Sequence, residues 1–311
     1  MERKIIDDFS RAYNNCFCGY NEFSCQDGQT VPIFYIDSIN DLNRFVGKAK
    51  YANSKYGNVF LRGQTDVYNS QMKPSILRNI TSSNTANTSL KEIVDSFKRN
   101  NEHFENVDDT ILHPVLQHYG IHTNWLDIVD NIWVALWFGS HCMQTTTVNH
   151  HRSEKKDKTS RHGASPKECD QFIRFTPSPT PFTYIFLLLS DGVNETYSGE
   201  YRSGIYEGRK TVLVDIRKVV PSIFIRPHAQ HAYAIKSKET NPNALSNCVV
   251  GVAKLWTRNV LEWIGKSSVL SLSTLYPSLF DDAGFLSLLE SRDHNRLCNY
   301  KNYGGIHLVT Y

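Results

Sequence analysis

The chain has 311 residues, of which 40% are hydrophobic and 21% charged, and a formal net charge of +3. This length allows one large domain or two small ones with a substantial core. The near-neutral charge does not indicate a general nucleic-acid binder, although it is compatible with a local basic groove. No apolar run approaches the ~18 residues of a membrane span, and the charged N-terminus lacks a secretory pattern. The seven scattered cysteines argue against a disulfide framework and predict a cytoplasmic protein without membrane contact.

Residues 1–30 are polar and are predicted to be an N-terminal extension. Residues 31–36 then have the apolar composition of a strand, and Ser38 marks the start of a following helix. A second strand, residues 58–63, ends at a glycine, and Arg62 and Gln64 lie at that end. Strand ends lead into loops in which binding sites are commonly built, so Arg62 is a candidate site residue.

The next stretch has two polar side chains, Ser75 and Arg78, among apolar neighbours. Residues 79–89 are rich in Asn, Ser and Thr and predict a polar loop. A helix with one apolar face is predicted over residues 90–105.

Residues 114–139 combine a polar first half with an apolar second half. Residues 132–138 are too densely apolar for a surface helix and predict a buried helix capped by Asp130 or Asn131. The preceding residues 117–127 carry amide, imidazole, phenol, hydroxyl and carboxylate groups. Two interpretations remain open for them: a joint between helices whose polar groups satisfy one another, or a binding site.

Residues 144–171 are almost free of apolar side chains and predict a disordered surface insertion. The following segment, residues 182–190, is apolar on both faces and predicts a central strand. Further strands are predicted over residues 211–216, 232–235 and 248–255, with helices over 259–264 and up to Glu290. This pattern predicts an α+β fold with helices mainly in the first half and a mixed or antiparallel sheet mainly in the second. One domain is predicted over residues 31–290, followed by a C-terminal extension over 291–311.

Several common catalytic motifs are missing from the sequence, among them the P-loop, G-x-G-x-x-G, H-E-x-x-H and G-x-S-x-G. No metal site is predicted, because the early cysteines lack a fourth ligand at zinc-finger spacing. The remaining polar groups form three clusters: Arg62 with Gln64; Gln117, His118, Tyr119, Thr123 and Asp127; and Arg226 with Gln230. Arginines bind phosphates or carboxylates, and aromatic rings stack on planar groups. The set therefore suits a nucleotide or a nucleic-acid strand.

The chain resembles the FRG domain family in a series of motifs. These are residues 60–64 (Phe-Leu-Arg-Gly-Gln), 74–78 (Pro-Ser-Ile-Leu-Arg), 117–127 (Gln-His-Tyr-Gly followed by Thr and Leu-Asp), 135–138 (Ala-Leu-Trp-Phe), 226–230 and 276–279 (Tyr-Pro-Ser-Leu). The chain departs from the family at Asn124, where arginine is common, and at His231, where glycine is usual. The family resembles bacterial proteins of uncharacterised or defence-associated role, which implies a toxin or anti-phage effector.

A looser similarity to ADP-ribosyltransferases rests on the order of Arg62, Thr123 with residues 135–138, and Gln230. It implies an ADP-ribosyltransferase-like fold with NAD as the substrate rather than a bound cofactor. The implied reaction is hydrolysis of NAD or transfer of ADP-ribose to a macromolecular acceptor, either protein or nucleic acid.

This first hypothesis gives each candidate residue a role. The predicted catalytic residues are Arg62, Asp127 and Gln230, and the predicted substrate-binding residues are Gln64, Gln117, His118, Tyr119, Thr123 and Arg226. Arg62 would hold a phosphate or ribose, and Asp127 would stabilise an oxocarbenium-like centre. Gln230 would fix ribose hydroxyls, since an amide cannot act as a base at neutral pH. Tyr119 would stack on nicotinamide, and Thr123 would orient it.

The second hypothesis is a binding module for nucleic acid or a nucleotide, without catalysis. The phosphate contacts would come from Arg62, Arg78, Arg226 and His228, and the stacking rings from Tyr119 and Trp125. Such binding would weaken steeply with salt and yield no product.

Overall fold

The computed structural model describes residues 1–9, 21–78, 83–150, 168–195, 204–265, 270–290 and 307–310. The strands are Glu22–Ser24 (β1), Thr30–Tyr35 (β2), Asn58–Gln64 (β3), Leu126–Val129 (β4), His141–His150 (β5), Glu168–Pro177 (β6), Phe182–Ser190 (β7), Asn194–Glu195 (β8), Ile205–Glu207 (β9), Thr211–Asp215 (β10), Ala232–Ser237 (β11), Val249–Trp256 (β12) and His307–Val309 (β13). The helices are Ile39–Asn53 (α1), Ser83–Asn100 (α2), Asp109–His118 (α3), Ile132–Ser140 (α4), Ile216–Val219 (α5), Arg226–Ala229 (α6), Thr257–Gly265 (α7), Leu272–Leu275 (α8) and Ala283–Glu290 (α9).

The main sheet has ten strands in the order β1-β2-β12-β7-β3-β4-β11-β10-β9-β8. Strand β12 pairs in parallel with β2, and the other neighbours in this sheet are antiparallel. Every residue of β7 is buried, as expected for a strand that is apolar on both faces and covered on both. The predicted central strand and the predicted α+β class are therefore confirmed.

A smaller sheet has the order β13-β6-β5. Strand β5 begins at His141, directly after α4 ends at Ser140, so the buried helix leads straight into this second sheet. Strands β5 and β6 pair antiparallel along ten residues each, from His141 opposite Pro177 to His150 opposite Glu168.

Strands β3 and β4 are neighbours that diverge almost at once. They share a single paired position, Leu61 opposite Val129. Beyond it, β3 continues to pair with β7 up to Gln64, and β4 continues to pair with β11 back to Leu126. The sheet is therefore split between these two strands, and the split opens a notch along their diverging edges.

Helix α4 packs against β3 beside this notch. Its N-terminus is capped by Asn131, whose side chain accepts a hydrogen bond from the Trp133 N–H at 2.9 Å. A Cβ on Gly63 would lie 1.8 Å from the Ala135 carbonyl oxygen and 2.6 Å from the Gly139 nitrogen. Glycine at position 63 thus lets the two backbones touch, and the predicted buried helix is confirmed.

Helix α1 begins where the sequence predicted. Ser38 caps it by accepting a hydrogen bond from the Asp41 N–H at 3.1 Å. Leu42 and Phe45 on its inner face are buried against the sheet core that also contains Leu187. Among the described helices, none combines the length and apolar character that a bilayer crossing requires.

Three local predictions are corrected. Helix α2 starts at Ser83 and ends at Asn100, so the predicted loop over 79–89 is wrong from residue 83 onward; residues 79–82 lie outside the described part. Helix α3 was not predicted, and it carries the start of the polar stretch. The predicted disorder of 144–171 is wrong for its two ends, which belong to β5 and β6, and residues 151–167 are not described.

Parts of both predicted extensions pair with the rest of the molecule. Strand β1 joins the main sheet through β2, and β13 joins the small sheet through β6. The Ile6 N–H also donates a hydrogen bond to the Val250 carbonyl at 2.8 Å. The proposed boundaries at residues 31 and 290 stay predictions.

Candidate functional site

A cavity of about 530 Å³ lies at the split between β3 and β4. One wall is formed by Arg62, Gly63 and Gln64 from β3, and the facing wall by residues 126–128 from β4. Ligand pockets commonly measure ~300–1,000 Å³, so the cavity is large enough for a nucleotide-sized molecule. The site is a product of sheet geometry, since it occupies the space that continued pairing would have closed.

Arg62 bridges the two walls of the split. Its Nη1 donates a hydrogen bond to the Asp127 backbone carbonyl at 2.6 Å, and its buried Nε has no partner among the described residues. Burial lowers the pKa of Arg62 to about 10, and the positive charge of Arg78 acts in the same direction. The guanidinium therefore remains cationic at neutral pH beside the cavity.

Asp127 supplies a carboxylate to the same cavity. The nearest nitrogen of His118, Nδ1, lies 3.9 Å from the Asp127 Oδ1, and the His118 side chain is only 6% exposed. Burial acts to raise the pKa of Asp127, but polar contacts with His118 and Gln117 and the charge of Arg62 outweigh it. The net pKa lies below its ordinary value, so the carboxylate is ionised at neutral pH.

Thr123 was predicted to bind substrate, and the structure gives it another contact. It is fully buried and does not line the cavity; its hydroxyl donates to Oε1 of Gln117 and accepts from the Trp125 N–H at 3.2 Å. Gln117 does line the cavity. Thr123 therefore orients Gln117 and cannot reach a ligand in this arrangement.

Tyr119 was also predicted to bind substrate, but its ring lies away from the cavity. Its ring is fully buried in the hydrophobic core, and its hydroxyl donates to the Asp282 carboxylate at 2.7 Å. The ring also lies 4.4 Å from the guanidinium carbon of Arg226. It is not part of the cavity wall, so the predicted stacking of Tyr119 on nicotinamide does not fit this structure.

Arg226 and Gln230, from the late sequence cluster, do line the cavity. Arg226 is only 1% exposed, and the part of the chain that the structure describes offers no hydrogen-bond partner to its Nε and Nη2. The Gln230 amide donates to the Leu275 carbonyl at 2.8 Å, which anchors the side chain to the segment before α9. The structure thus brings Arg62, Asp127 and Gln230 to one cavity from three distant parts of the chain.

The cavity is also lined by Tyr68 and Tyr276, which were not among the predicted site residues. Tyr68 is 51% exposed and begins a short helical turn, Tyr68–Ser70, in which three consecutive residues have positive φ values of 50°, 53° and 59°. The turn contains no glycine, so the sequence did not predict its left-handed backbone. Tyr276 had a signal in its family-like Tyr-Pro-Ser-Leu segment. Ser75 and Arg78, noted as polar among apolar neighbours, also lie on the wall.

Unpartnered buried polar atoms are concentrated on this wall. Among the described residues, those that line the cavity and have such an atom include Arg62, Gln64, Ser75, His118, Trp125 and Arg226. Buried polar groups normally have hydrogen-bond partners, because leaving one unsatisfied costs about 1–3 kcal/mol. Most of the unsatisfied buried groups among the described residues therefore belong to side chains that line the cavity. No cluster of three or more metal-ligating side chains occurs in the described ranges.

Comparisons with known proteins support one assignment. No curated protein and no solved structure matches the chain. The family model of the FRG domain matches residues 57–148, which include Arg62, Gln64 and the polar stretch that ends at Asp127. The predicted FRG resemblance is confirmed over this range, whereas the late elements around Arg226 and Tyr276 lie outside it. The matched segment supplies β3, α3, β4 and α4, and the chain is therefore an FRG domain-containing protein.

Proposed function

We propose that the cavity binds NAD and cleaves the bond between nicotinamide and ribose, passing ADP-ribose to water or to a macromolecular acceptor. The observation that carries the proposal is a wall of unpartnered buried hydrogen-bonding groups around an ionised carboxylate, Asp127. The volume of about 530 Å³ suits a nucleotide. A cytoplasmic location, where NAD is available, is part of the same proposal.

The proposed binding uses the charges on the wall. Arg62 and Arg78 have neighbouring guanidiniums that suit phosphate oxygens, and Arg226 adds buried N–H donors that lack a partner among the described residues. Gln64 has an unpartnered buried Oε1, which suits a ribose hydroxyl as donor. Arg226 has no anionic partner among the described residues, and a hydrogen-bond acceptor of the ligand would satisfy its buried donors.

The chemistry uses Asp127. As the C1′–N bond breaks, its electron pair moves to the nicotinamide nitrogen and neutralises the pyridinium charge. Positive charge then develops on the ribose, and the Asp127 carboxylate stabilises it in a partly desolvated site. A water molecule or an acceptor nucleophile forms the new bond to C1′ and loses a proton, for which Asp127 is the nearest proposed base. The products with water are nicotinamide, ADP-ribose and one proton.

The roles of Arg62 and His118 follow from their contacts with Asp127. Arg62 donates to the backbone carbonyl of Asp127, and this bond fixes the carboxylate at the split while another donor stays free for a phosphate. His118, 3.9 Å away, helps to keep the carboxylate ionised. Both act by holding Asp127 in the charged, oriented form that the reaction needs.

The test is incubation of the purified chain with NAD, followed by mass spectrometry of released nicotinamide. Wild type should release nicotinamide, and Asp127→Asn, which keeps the shape but removes the charge, should be roughly 10²-fold slower. The matched control is Asp281→Asn, which changes an exposed carboxylate that accepts a hydrogen bond from the Ser278 hydroxyl and should leave the rate unchanged. Equal rates in wild type and Asp127→Asn would refute the role of Asp127. Absence of release by wild type, with and without protein or nucleic-acid acceptors, would refute the cleavage.

A second candidate function is nucleotide or nucleic-acid binding without cleavage. The late glutamine favours it, because the Gln230 amide is anchored to the Leu275 carbonyl and cannot act as a base. Calorimetric titration with ADP-ribose and with single-stranded RNA distinguishes the two candidates. Binding that weakens steeply with salt and leaves the ligand intact would support the binding module.

A further inference from the structure

We propose that Tyr68, at the mouth of the cavity, is the platform on which the adenine base of the ligand stacks. The inference rests on the proposed nucleotide cavity but does not require cleavage. It gives the bound ligand a direction, with its adenine end outermost and the nicotinamide-ribose bond at Asp127.

Exposure fixes the position of Tyr68 relative to the rest of the wall. Its side chain is 51% exposed, whereas Gln230 is 3% and Arg226 is 1% exposed on the same cavity. The phenol ring therefore stands at the opening and has free surface. Aromatic rings that are exposed beside a polar cavity bind planar groups well, and base-aromatic stacking tolerates every base because each has a π face.

The neighbours of Tyr68 suit the phosphates that follow an adenine nucleoside. Tyr68 is close enough to Arg62 and Arg78 to influence the pKa of both guanidiniums. Arg78 is exposed, and Arg62 lies further inside beside Asp127. A base on Tyr68 would thus be followed by phosphates at the two arginines and by the reacting ribose at the carboxylate.

The backbone under Tyr68 is held in an unfavourable conformation. Tyr68, Asn69 and Ser70 all have φ values between 50° and 59°, a region that costs non-glycine residues about 1–2 kcal/mol each. Such strain concentrates at functional sites, where the surroundings enforce it. Here the Ser70 hydroxyl accepts from the Ser24 N–H at 2.9 Å, and its carbonyl accepts from the Asn243 amide at 3.3 Å.

The ring itself is also held in place. The Tyr68 hydroxyl and the Thr65 hydroxyl are 2.9 Å apart, which ties the far end of the ring to the chain that leaves β3. The hydroxyl is thus occupied by the protein, and the ring face is what remains for a ligand. This arrangement separates a stacking role from a hydrogen-bonding role of Tyr68.

The experiment compares ligands and variants by isothermal titration calorimetry. AMP and ADP-ribose contain the adenine base, and nicotinamide mononucleotide has a phosphate and a planar ring without it. Tyr68→Ala should bind AMP and ADP-ribose roughly tenfold more weakly, as expected for loss of one stacked base, and nicotinamide mononucleotide as wild type does. Tyr68→Phe, which keeps the ring, should match wild type. Alanine is preferred over glycine because glycine would also release the backbone strain.

The matched control is Tyr51→Ala, which removes an 84% exposed tyrosine from α1 and should change none of the affinities. If Tyr68→Ala does not fold, Tyr68→Leu replaces it, since leucine is apolar but lacks a π face. Unchanged AMP affinity in the folded variant would overturn the proposal, as would equal losses for all three ligands. No binding of any adenine nucleotide by wild type would overturn it too.

The outcomes separate this proposal from the proposed cleavage. If the chain binds AMP in a Tyr68-dependent way but releases no nicotinamide, the stacking role of Tyr68 is supported and the proposed cleavage is refuted. If wild type and Tyr68→Ala both cleave NAD with the same KM, the cleavage is supported and the stacking role of Tyr68 is refuted.

Discussion

Two charged side chains at the split keep their ionisation at neutral pH for different reasons. Burial lowers the pKa of Arg62 to about 10, and the side chain is still cationic at neutral pH. Asp127 is held ionised by His118, Gln117 and Arg62 against the effect of burial. The cavity therefore has a fixed positive and a fixed negative group, connected through the Arg62 bond to the Asp127 carbonyl.

At the same scale, His113 on α3 predicts a pH-dependent stability. Burial lowers its pKa from 6.5 to about 4, and no described residue bonds to its buried Nε2. Below pH 6.5 the unfolded chain binds a proton that the folded chain does not. The free energy of unfolding should therefore fall between pH 6.5 and about 4, by on the order of 3 kcal/mol in total, and then level off.

Urea unfolding at a series of pH values checks this expectation. His113→Gln cannot titrate and should flatten that part of the stability curve, whereas His228→Gln, at an exposed position, should leave it as in wild type. Parallel curves for wild type and His113→Gln would show that His113 does not contribute to the loss.

The individual side chains of the site were partly predictable. Arg62, Gln64, Asp127 and Gln230 stood out because polar groups at strand ends and in dense polar clusters are typical of sites. The prediction that Tyr119 binds substrate was wrong because its position in a motif does not determine the direction of its ring. Only the packed core, with Asp282 receiving the phenol hydroxyl, determines that direction.

Among the elements, those with an unbroken apolar pattern were predicted well. Strand β7 and helix α4 follow directly from their residues, because full burial needs apolar side chains all round. Helix α3 was missed since Pro114 lies in its interior, where proline costs about 3 kcal/mol. The burial of Leu112 and Val115 on the same helix offsets that cost, and it depends on tertiary packing.

The contact between β3 and α4 gives a prediction at this scale. Gly63→Ala would place a Cβ 1.8 Å from the Ala135 carbonyl oxygen, which belongs to rigid helix backbone. We expect a loss of about 3 kcal/mol in the free energy of unfolding, because the helix must move away from the strand. The proposed release of nicotinamide should fall with it, since β3 positions Arg62.

The matched control is Gly47→Ala in α1, where a Cβ would meet nothing within 4 Å. That substitution should raise stability by about 0.5–1 kcal/mol, as alanine is the better helix former. Urea unfolding measures both variants. Equal stability of Gly63→Ala and wild type would show that α4 and β3 can separate freely.

The site depends on the tertiary fold, because its residues are far apart in the sequence. Its residues come from segments near positions 62, 127, 230 and 276, which the strand order β3-β4-β11 and the loop before α9 bring together. The α+β class could be read from the apolar patterns. The split between β3 and β4 could not, because it depends on long-range pairing with β7 on one side and β11 on the other.

Labelling of two buried cysteines can be used to measure unfolding of the whole molecule. Burial raises the pKa of Cys25 to about 11 and that of Cys248 to about 12, so neither forms the reactive thiolate at neutral pH. A thiol reagent should label Cys142, which is partly exposed, and leave these two unlabelled until the protein unfolds. Peptide mass spectrometry after brief labelling in increasing urea provides the measurement. Labelling of Cys248 in the native state at the rate of Cys142 would contradict the structure.

The position of β7 between β3 and β12 has a consequence for how the protein is made. Strand β7 ends at Ser190, but β12, which covers its second edge, begins only at Val249. A ribosome adds roughly 5–20 residues per second, so this largely apolar strand has one edge unpaired for seconds. An open apolar edge is a template for pairing with other chains. Nascent chains interrupted between these two strands would therefore depend on chaperones, and slow translation of this stretch would lower the yield of native protein.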